Sequence, residues 1–346
     1  MESRQVKTGR LDLRFFIWYN EYRKGVKEMD FLKLLEGLRT PFLDEFFSLI
    51  TRFGEETIFI VVGLFLFWCV DKKKGYYLLS VGFTGIIFNQ FLKLLFRIPR
   101  PWVRDPSFTI VESARAEATG YSFPSGHTQS AVGTFGSIGR MFRSVWLRVI
   151  CGILCILVPL SRMYLGVHTP ADVGVSFVIA TVLVFGLYPL IAYAAEKPSR
   201  MRWVLGGLTV LSVALLVFVL CFPFPSDVDP HNYESGVANA YKMLGCIVGL
   251  WVAYEFDTRY LHFETKAIWW VQAIKFVGGL IPVLLVKSVL KAPLLALCGG
   301  NFVADGIRYF LIVVIAAAVW PMTFRFFAKL GQKKGTTPCV CEEKRV

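Results

Sequence analysis

Repeated apolar segments of about 20 residues are the feature that most limits what this 346-residue chain can fold into. A helix of about that length crosses the hydrocarbon core of a bilayer. Backbone polar groups inside a bilayer need internal partners, so helices rather than open sheets are expected. The sequence therefore predicts an all-α polytopic membrane bundle with about nine transmembrane helices. The expected spans lie near 55–71, 75–96, 127–142, 146–162, 171–195, 203–224, 236–254, 267–286 and 306–323.

The composition agrees with a membrane protein and does not favour a nucleic-acid partner. Hydrophobic residues make up 55% of the chain and charged residues 18%, which is too apolar for a soluble domain. The net charge of +13 comes largely from lysines and arginines that flank the apolar segments, where they fix topology. No basic stripe with interleaved aromatic residues occurs outside the expected spans, so nucleic-acid binding is not expected.

Neither a cleavable signal peptide nor a cysteine-based metal site is expected. The first thirty residues are charged and lack an apolar core segment. Five of the eight cysteines lie inside apolar runs, where cysteine behaves as a small hydrophobic residue. Cys339 and Cys341 are spaced C-x-C and lack the second pair of ligands that a zinc site requires.

The basic residues also orient the spans. Lysines and arginines cluster in 72–74, 140–148, 197–202 and 325–334, and the positive-inside rule places these loops in the cytoplasm. The loop 226–231, on the opposite side, carries no lysine or arginine. Compact loops favour the inner (plasma) membrane of a bacterium as the location.

Four regions are expected along the chain. The stretch 31–50 is amphipathic and charged, which is typical of a helix at the membrane interface. The alternative is that it crosses the membrane, which would give ten spans and a cytoplasmic N-terminus. Lys275 lies inside an expected span and is expected to pair with a carboxylate such as Glu255; the alternative is contact with a substrate headgroup. The C-terminal helices are candidates for a homodimer interface or for shaping a lipid entrance. The regions are an amphipathic N-terminal segment (1–53), a core that carries the motifs described below (54–200), accessory transmembrane helices (201–325) and a cytoplasmic tail (326–346).

The first of three polar motifs ends an apolar segment. Lys93 lies near the end of the second expected span, and Pro99 and Pro101 stop the helix. Arg100 is then held by a rigid turn at the membrane surface. The alternative is that these cations only reach out to lipid headgroups.

The second motif, Pro-Ser-Gly-His at 124–127, begins an apolar segment rich in small residues. It predicts a helix start with Ser125 as N-cap. The free backbone N–H groups of a helix N-terminus suit phosphate, and Gly126 lets an anion come close. His127 faces the same place. The alternative is an ordinary cap beside a surface histidine.

The third motif is Ser-Arg at 161–162, followed by His168 and Asp172. The histidine and the aspartate are spaced i, i+4 across a new helix start that has Pro170 near its first turn. A carboxylate at this spacing can hold one imidazole nitrogen and make the other more nucleophilic. Arg162 offers a planar fork for phosphate. The alternative is a structural His–Asp contact in a loop.

Taken together, the three motifs resemble the tripartite signature of the type 2 phosphatidic acid phosphatase superfamily. That signature is Lys, six residues, Arg-Pro; then Pro-Ser-Gly-His; then Ser-Arg, five residues, His, three residues, Asp. Every fixed position matches in order, within residues 55–195. One departure is that members of this family have a span before the helix expected at 55–71, where this chain has the amphipathic stretch.

The resemblance implies a role for each matching residue. His168 would attack phosphorus and form a phosphohistidine, with Asp172 orienting it. His127 would protonate the leaving group and later help to activate water. The implied phosphate-binding residues are Lys93, Arg100, Ser125, Gly126 and Arg162. No metal and no cofactor is implied, and no Asp/Glu cluster with Mg²⁺-like spacing lies near the motifs.

The expected function is therefore that of an integral membrane phosphatase acting on a lipid phosphate or diphosphate in the membrane, such as undecaprenyl diphosphate or phosphatidate. The positive-inside orientation puts all three motifs on the extracytoplasmic side. Two alternatives stay open. One is a lipid phosphotransferase that uses the same intermediate, and the other is a non-enzymatic lipid or anion transporter.

Overall fold

The computed structural model describes residues 26–225 and 228–330, and these residues form helices with no strand. The expectations for residues 1–25, 226–227 and 331–346, including the Cys339–Cys341 pair, fall outside the described residues. The main helices are α1 (Val26–Gly37), α2 (Pro41–Thr51), α3 (Glu56–Phe65), α4 (Lys72–Phe96), α5 (Gly126–Met141), α6 (Val145–Tyr164), α7 (Pro170–Ala194), α8 (Pro198–Cys221), α9 (Pro230–Phe256), α10 (Trp269–Val289) and α11 (Val303–Val314).

Short helical pieces extend or connect these helices. Three π-helical turns follow α3, α9 and α11, at Leu66–Val70, Asp257–Leu261 and Ile315–Val319. Two 3₁₀ turns lie at Arg52–Gly54 and Glu112–Ala114. The remaining short α-helices are Pro101–Arg104, Lys291–Leu297, Trp320–Met322 and Phe324–Leu330.

The all-α membrane fold predicted from the sequence is confirmed, with a smaller number of spans. By length and composition, seven helices of the described residues can cross a membrane, or eight if one bent pair counts as a span. They are Lys72–Arg104, Val145–Tyr164, Pro170–Ala194, Pro198–Cys221, Pro230–Leu261, Trp269–Val289 and Val303–Ala328; the bent pair is Pro41–Gly54 with Glu56–Val70, at 49°.

The difference from nine spans has two sources. Helix α5 has 16 residues, about 24 Å at 1.5 Å per residue, whereas the hydrocarbon core is about 30 Å thick. The segment expected as a span at 55–71 lies in the second arm of the bent pair, and the first arm, Pro41–Gly54, contains the second half of the amphipathic stretch 31–50. Apolar runs in the sequence therefore mark membrane segments better than they mark complete crossings.

The described residues divide into two compact units. The first comprises the part of the chain up to Ile58, Phe88–Val184 and Pro223–Gly236. In this unit α5 packs on α6 through a core that includes Ala131, Phe135 and Val158. Helix α1 buries Leu32 against Phe108. This unit contains all three motifs.

The second unit comprises Phe59–Ile87, Phe185–Phe222 and the chain from Val237 onward. Lys275 is buried in it and donates to the carbonyl oxygens of Trp68 and Thr265, at 3.1 Å each. The expected pairing of Lys275 with Glu255 is wrong, because Glu255 accepts from Arg202 at 2.7 Å. Backbone carbonyls in the π-helical turn Leu66–Val70 and in the loop after Leu261 accept from this lysine, and the sequence pattern does not show these contacts.

Candidate active site

The three motifs come together within the first unit. Lys93 lies in the last turn of α4, and Arg100 immediately precedes the short helix Pro101–Arg104. The second motif begins α5, and Arg162 lies in the last turn of α6. His168 lies in the connection from α6 to α7, whose first turn holds Asp172. Segments far apart in the sequence thus meet at neighbouring helix ends.

His168 and Asp172 form a buried imidazole–carboxylate pair. The distance from His168 Nδ1 to Asp172 Oδ2 is 3.5 Å, and both side chains are almost fully buried. The same oxygen accepts hydrogen bonds from the Ser122 hydroxyl at 2.6 Å and the Thr169 backbone N–H at 2.8 Å. The Ser125 N–H donates to the Asp172 carbonyl oxygen at 3.1 Å. The carboxylate is therefore fixed on the Nδ1 side of the ring.

Arg100 lies on the other side of the His168 ring, next to Nε2. Its Nη1 lies 2.9 Å from His168 Nε2 and donates to the Val167 carbonyl oxygen, also at 2.9 Å. A guanidinium group has donors only, so Nε2 is the acceptor in this contact and Nδ1 carries the proton that faces Asp172. This tautomer leaves a lone pair on Nε2, the nitrogen that points away from the carboxylate.

Burial favours the neutral form of the His168 ring. The low-dielectric surroundings, followed by the nearby Arg100 guanidinium, hold the pKa of His168 well below its usual range, although Asp172 acts in the opposite direction. The ring is neutral at pH 7, and a neutral imidazole has the lone pair that a nucleophile needs.

Arg162 carries unused hydrogen-bonding capacity. Its side chain is fully buried, and Nη1 donates to the Thr51 hydroxyl at 2.7 Å. Nε and Nη2 are buried and, among the described residues, have no hydrogen-bond partner. Buried polar groups in proteins are normally satisfied, and two adjacent guanidinium N–H groups match two oxygens of a phosphate.

Lys93 completes the group of buried cations. Its ammonium group donates to the Tyr121 carbonyl oxygen at 2.6 Å, and the residue is 8% exposed. Lys93, Arg100 and Arg162 are thus all buried in this unit, which is the opposite of side chains that extend to lipid headgroups. The site has more positive charge than Asp172 can balance, and such an excess favours an anionic ligand.

The second motif forms the predicted helix start. The Ser125 side chain caps α5 and accepts from the Thr128 N–H at 3.4 Å, which confirms the prediction of an N-cap. A Cβ added to Gly126 would meet only the Asn89 side chain, at 3.9 Å. The space beside the first backbone N–H groups of α5 is therefore open to a small anion.

His127 faces a carboxylate that no motif includes. Its Nε2 lies 3.3 Å from Oε2 of Glu117, in the loop before α5. The contact lowers the pKa of Glu117 below its usual value, because the imidazole stabilises the carboxylate. Three residues outside the motifs contact motif residues: Ser122, Thr51 and Glu117. The sequence did not predict these contacts, because single Ser, Thr and Glu residues in loops and helix ends follow no pattern.

Two family matches cover much of the chain. Residues 73–196 match the PAP2 superfamily, and residues 241–333 match the transmembrane extension of PAP2 superfamily phosphatases. The first match includes every motif residue. The second lies in the C-terminal region, for which the sequence suggested no motif. No solved structure matches the chain.

Curated relatives carry phosphatase names. Undecaprenyl-diphosphatase BcrC of Bacillus subtilis is 32% identical over 45% of this chain and 80% of its own length. Phosphatidylglycerophosphatase B of the same organism is 28% identical over 48% of this chain and 81% of its own length. A protein of Dictyostelium discoideum named "Probable sphingosine-1-phosphate phosphatase" is 27% identical over 72% of this chain; the chain spans 63% of that protein's length.

The matches confirm the resemblance that the three motifs carry. They cover the helices that hold the buried cations and the two histidines, and they extend into the C-terminal helices. The chain is a multi-pass membrane protein that belongs to the PAP2 superfamily of phosphatases.

Proposed function

We propose that this protein hydrolyses a lipid phosphate or diphosphate through a phosphohistidine formed on His168, without a metal ion. The observation that carries the proposal is the environment of the His168 ring. Nδ1 faces Asp172, and Nε2 faces Arg100, one of three buried cations in this unit. Phosphoryl transfer depends mainly on positioning and charge stabilisation, and these groups supply both.

The first half-reaction forms a P–N bond. The substrate phosphate draws Arg100 away from Nε2 onto one of its oxygens, which frees the lone pair. Arg162 donates its two unpartnered N–H groups to non-bridging oxygens, and Lys93 and the backbone N–H of Gly126 contribute further positive charge. Nε2 attacks phosphorus, the bond to the leaving oxygen breaks, and His127 gives that oxygen a proton.

The second half-reaction restores the enzyme. His127, now neutral, removes a proton from a water molecule as the water oxygen attacks the phosphohistidine. The P–N bond breaks, and its electron pair returns to Nε2. Inorganic phosphate leaves, and Arg100 resumes its contact with His168. Asp172 balances the positive charge that the His168 ring carries while phosphorylated.

The substrate class follows from the relatives and the setting. The named relatives are phosphatases of an isoprenoid diphosphate, a glycerophospholipid and a sphingoid phosphate, all of them lipids with a terminal phosphate. We place the site on the extracytoplasmic side of the plasma membrane, as the basic loops indicate. Residues 54–200 form the catalytic core in this proposal, and 201–325 are accessory helices.

Phosphate release from a panel of lipid phosphates tests the proposal. We expect the purified chain in detergent to release phosphate in the presence of EDTA, and vanadate to inhibit by imitating five-coordinate phosphorus. His168→Gln keeps a polar side chain of similar size and removes the nucleophile, so activity should vanish. Activity that requires Mg²⁺ contradicts the mechanism.

The same preparations distinguish the two alternative functions. Lipid transport without phosphate release, if it is retained in His168→Gln, supports a transporter. Phosphate transfer to an added lipid alcohol supports a transferase.

A further inference from the structure

The carboxylate of Glu117 lies against the proton-transferring histidine of the proposed site. Oε2 of Glu117 is 3.3 Å from Nε2 of His127, and the His127 side chain is 16% exposed. Nε2 is buried and has no hydrogen-bond partner in the described part of the chain, so the contact with Glu117 is an ion pair by distance. This contact joins a loop residue outside the three motifs to the first turn of α5.

The loop that carries Glu117 is held by the phosphate-binding cations themselves. Arg100 donates through Nη2 to the Thr119 carbonyl oxygen at 2.7 Å and through Nε to the Gly120 carbonyl oxygen at 3.1 Å. Lys93 donates to the Tyr121 carbonyl oxygen. These contacts begin two residues after Glu117, so Arg100 and Lys93 also fix the backbone beside Glu117.

The charges around His127 indicate what the Glu117 carboxylate does. Burial lowers the pKa of His127 to about 4, and Arg162 from α6 and Arg100 from the turn after α4 act in the same direction. Glu117 provides the opposing negative charge. Glu55 and Arg52, from the break between α2 and α3, lie beside Glu117 and act on it. His127 must carry a proton to deliver it to a leaving group, and Glu117 stabilises that form.

We propose that Glu117 is the positioning residue of His127: it orients the imidazole through Nε2 and stabilises the imidazolium that protonates the leaving oxygen. The site then has two imidazole–carboxylate pairs with separate tasks. Asp172 serves the nucleophile His168, and Glu117 serves the acid His127. Contact at Nε2 leaves Nδ1 as the nitrogen that exchanges a proton with substrate. The inference rests on the proposed phosphatase function and deepens it.

Two substrates with different leaving groups test this role. A lipid phosphate expels an alkoxide, which needs a proton, whereas p-nitrophenyl phosphate expels a phenolate that leaves without one. General acid catalysis is worth about 10²–10⁴-fold. We expect Glu117→Gln to lower kcat for the lipid phosphate by about 10- to 100-fold and for p-nitrophenyl phosphate by less than about threefold.

The pH profile gives a second readout, and its sign follows from charge. Without the carboxylate the protonated ring loses its counter-charge, so the alkaline limb of kcat/KM for the lipid phosphate should move to lower pH, by about one unit for a neighbouring charge. Glu117→Asp keeps the charge and should restore the alkaline limb and part of the rate. Glu112→Gln is the matched control, because Glu112 lies in the same loop, is exposed and pairs only with Arg115 among the ion pairs of the described residues.

Three results overturn the inference. Equal losses of Glu117→Gln on both substrates, with an unchanged pH profile, assign Glu117 a structural role. If Glu117→Gln turns over the lipid phosphate as fast as Glu112→Gln does, the contact of Glu117 with His127 has no catalytic effect. A wild-type chain that releases no phosphate from either substrate overturns the proposed function itself, and the inference with it. Glu117→Asp decides between the first two if Glu117→Gln folds poorly.

Discussion

Replacing Arg162 by methionine is expected to lower kcat/KM by orders of magnitude without lowering the stability of the unliganded protein. Arg162 is fully buried, and among the described residues only one of its guanidinium nitrogens has a hydrogen-bond partner, the Thr51 hydroxyl. Most buried cations stabilise a fold through their partners, so their removal is costly. Here two donor nitrogens lack partners, and methionine fills a similar volume without that cost.

The size of both effects follows from the hydrogen bonds. A bond to a charged group contributes about 1.5–3 kcal/mol. Two bonds from Nε and Nη2 to phosphate oxygens therefore contribute about 3–6 kcal/mol, which corresponds to roughly 10²- to 10⁴-fold in kcat/KM. In the unliganded protein each unsatisfied buried nitrogen costs about 1–3 kcal/mol. The apparent melting temperature of Arg162→Met should accordingly equal or exceed that of the wild type.

Thermal unfolding in detergent, with and without vanadate, separates the two effects. Vanadate should raise the melting temperature of the wild type and leave Arg162→Met unchanged. Thr51→Val is the control: it removes the hydroxyl that the Arg162 guanidinium contacts but keeps the cation, so vanadate should still stabilise it. The reasoning is refuted if vanadate stabilises Arg162→Met as much as the wild type, or if phosphate release falls by less than tenfold.

Three further substitutions probe the site and its scaffold. Gly126→Ala should fold normally, since its Cβ meets only Asn89 at 3.9 Å, but it should raise the inhibition constant of inorganic phosphate about tenfold because the methyl group takes the space of the anion. Gly166→Ala should lower the melting temperature by several degrees, because φ is +81° and such a backbone costs about 1–2 kcal/mol with a side chain; unfolding in detergent measures it. Lys72→Met removes the 2.7 Å ion pair with the largely buried Asp257 in the second unit, so we expect a loss of about 2 kcal/mol in stability with an unchanged KM; an unaltered melting temperature would count against the reasoning.

Local chemistry explains what could be predicted from the sequence. The N-cap of α5 at Ser125 depends on residues three positions apart, and the contact of His168 with Asp172 depends on a spacing of four. A local spacing of this kind keeps its meaning in any tertiary context. Apolar runs likewise identified the helical membrane fold, because a bilayer permits few alternatives.

Tertiary partners were not predictable in the same way. Ser122 reaches Asp172 across 50 positions and Thr51 reaches Arg162 across 111. Glu117 is an acidic residue in a polar loop, without periodicity or motif. The predicted number of spans was only approximate, because apolar runs record composition, whereas the 16-residue length of α5 and the 49° bend between α2 and α3 decide how many helices can cross.

Locating the covalent phosphoryl group shows directly whether His168 is the nucleophile. The purified chain is mixed with a lipid phosphate, quenched within milliseconds in alkali, which preserves phosphohistidine, and digested for mass spectrometry. We predict a phosphoryl group on His168 that is absent in His168→Gln and declines when water completes the turnover. A phosphoryl group on another residue, or phosphate release at the wild-type rate by His168→Gln, would contradict the account.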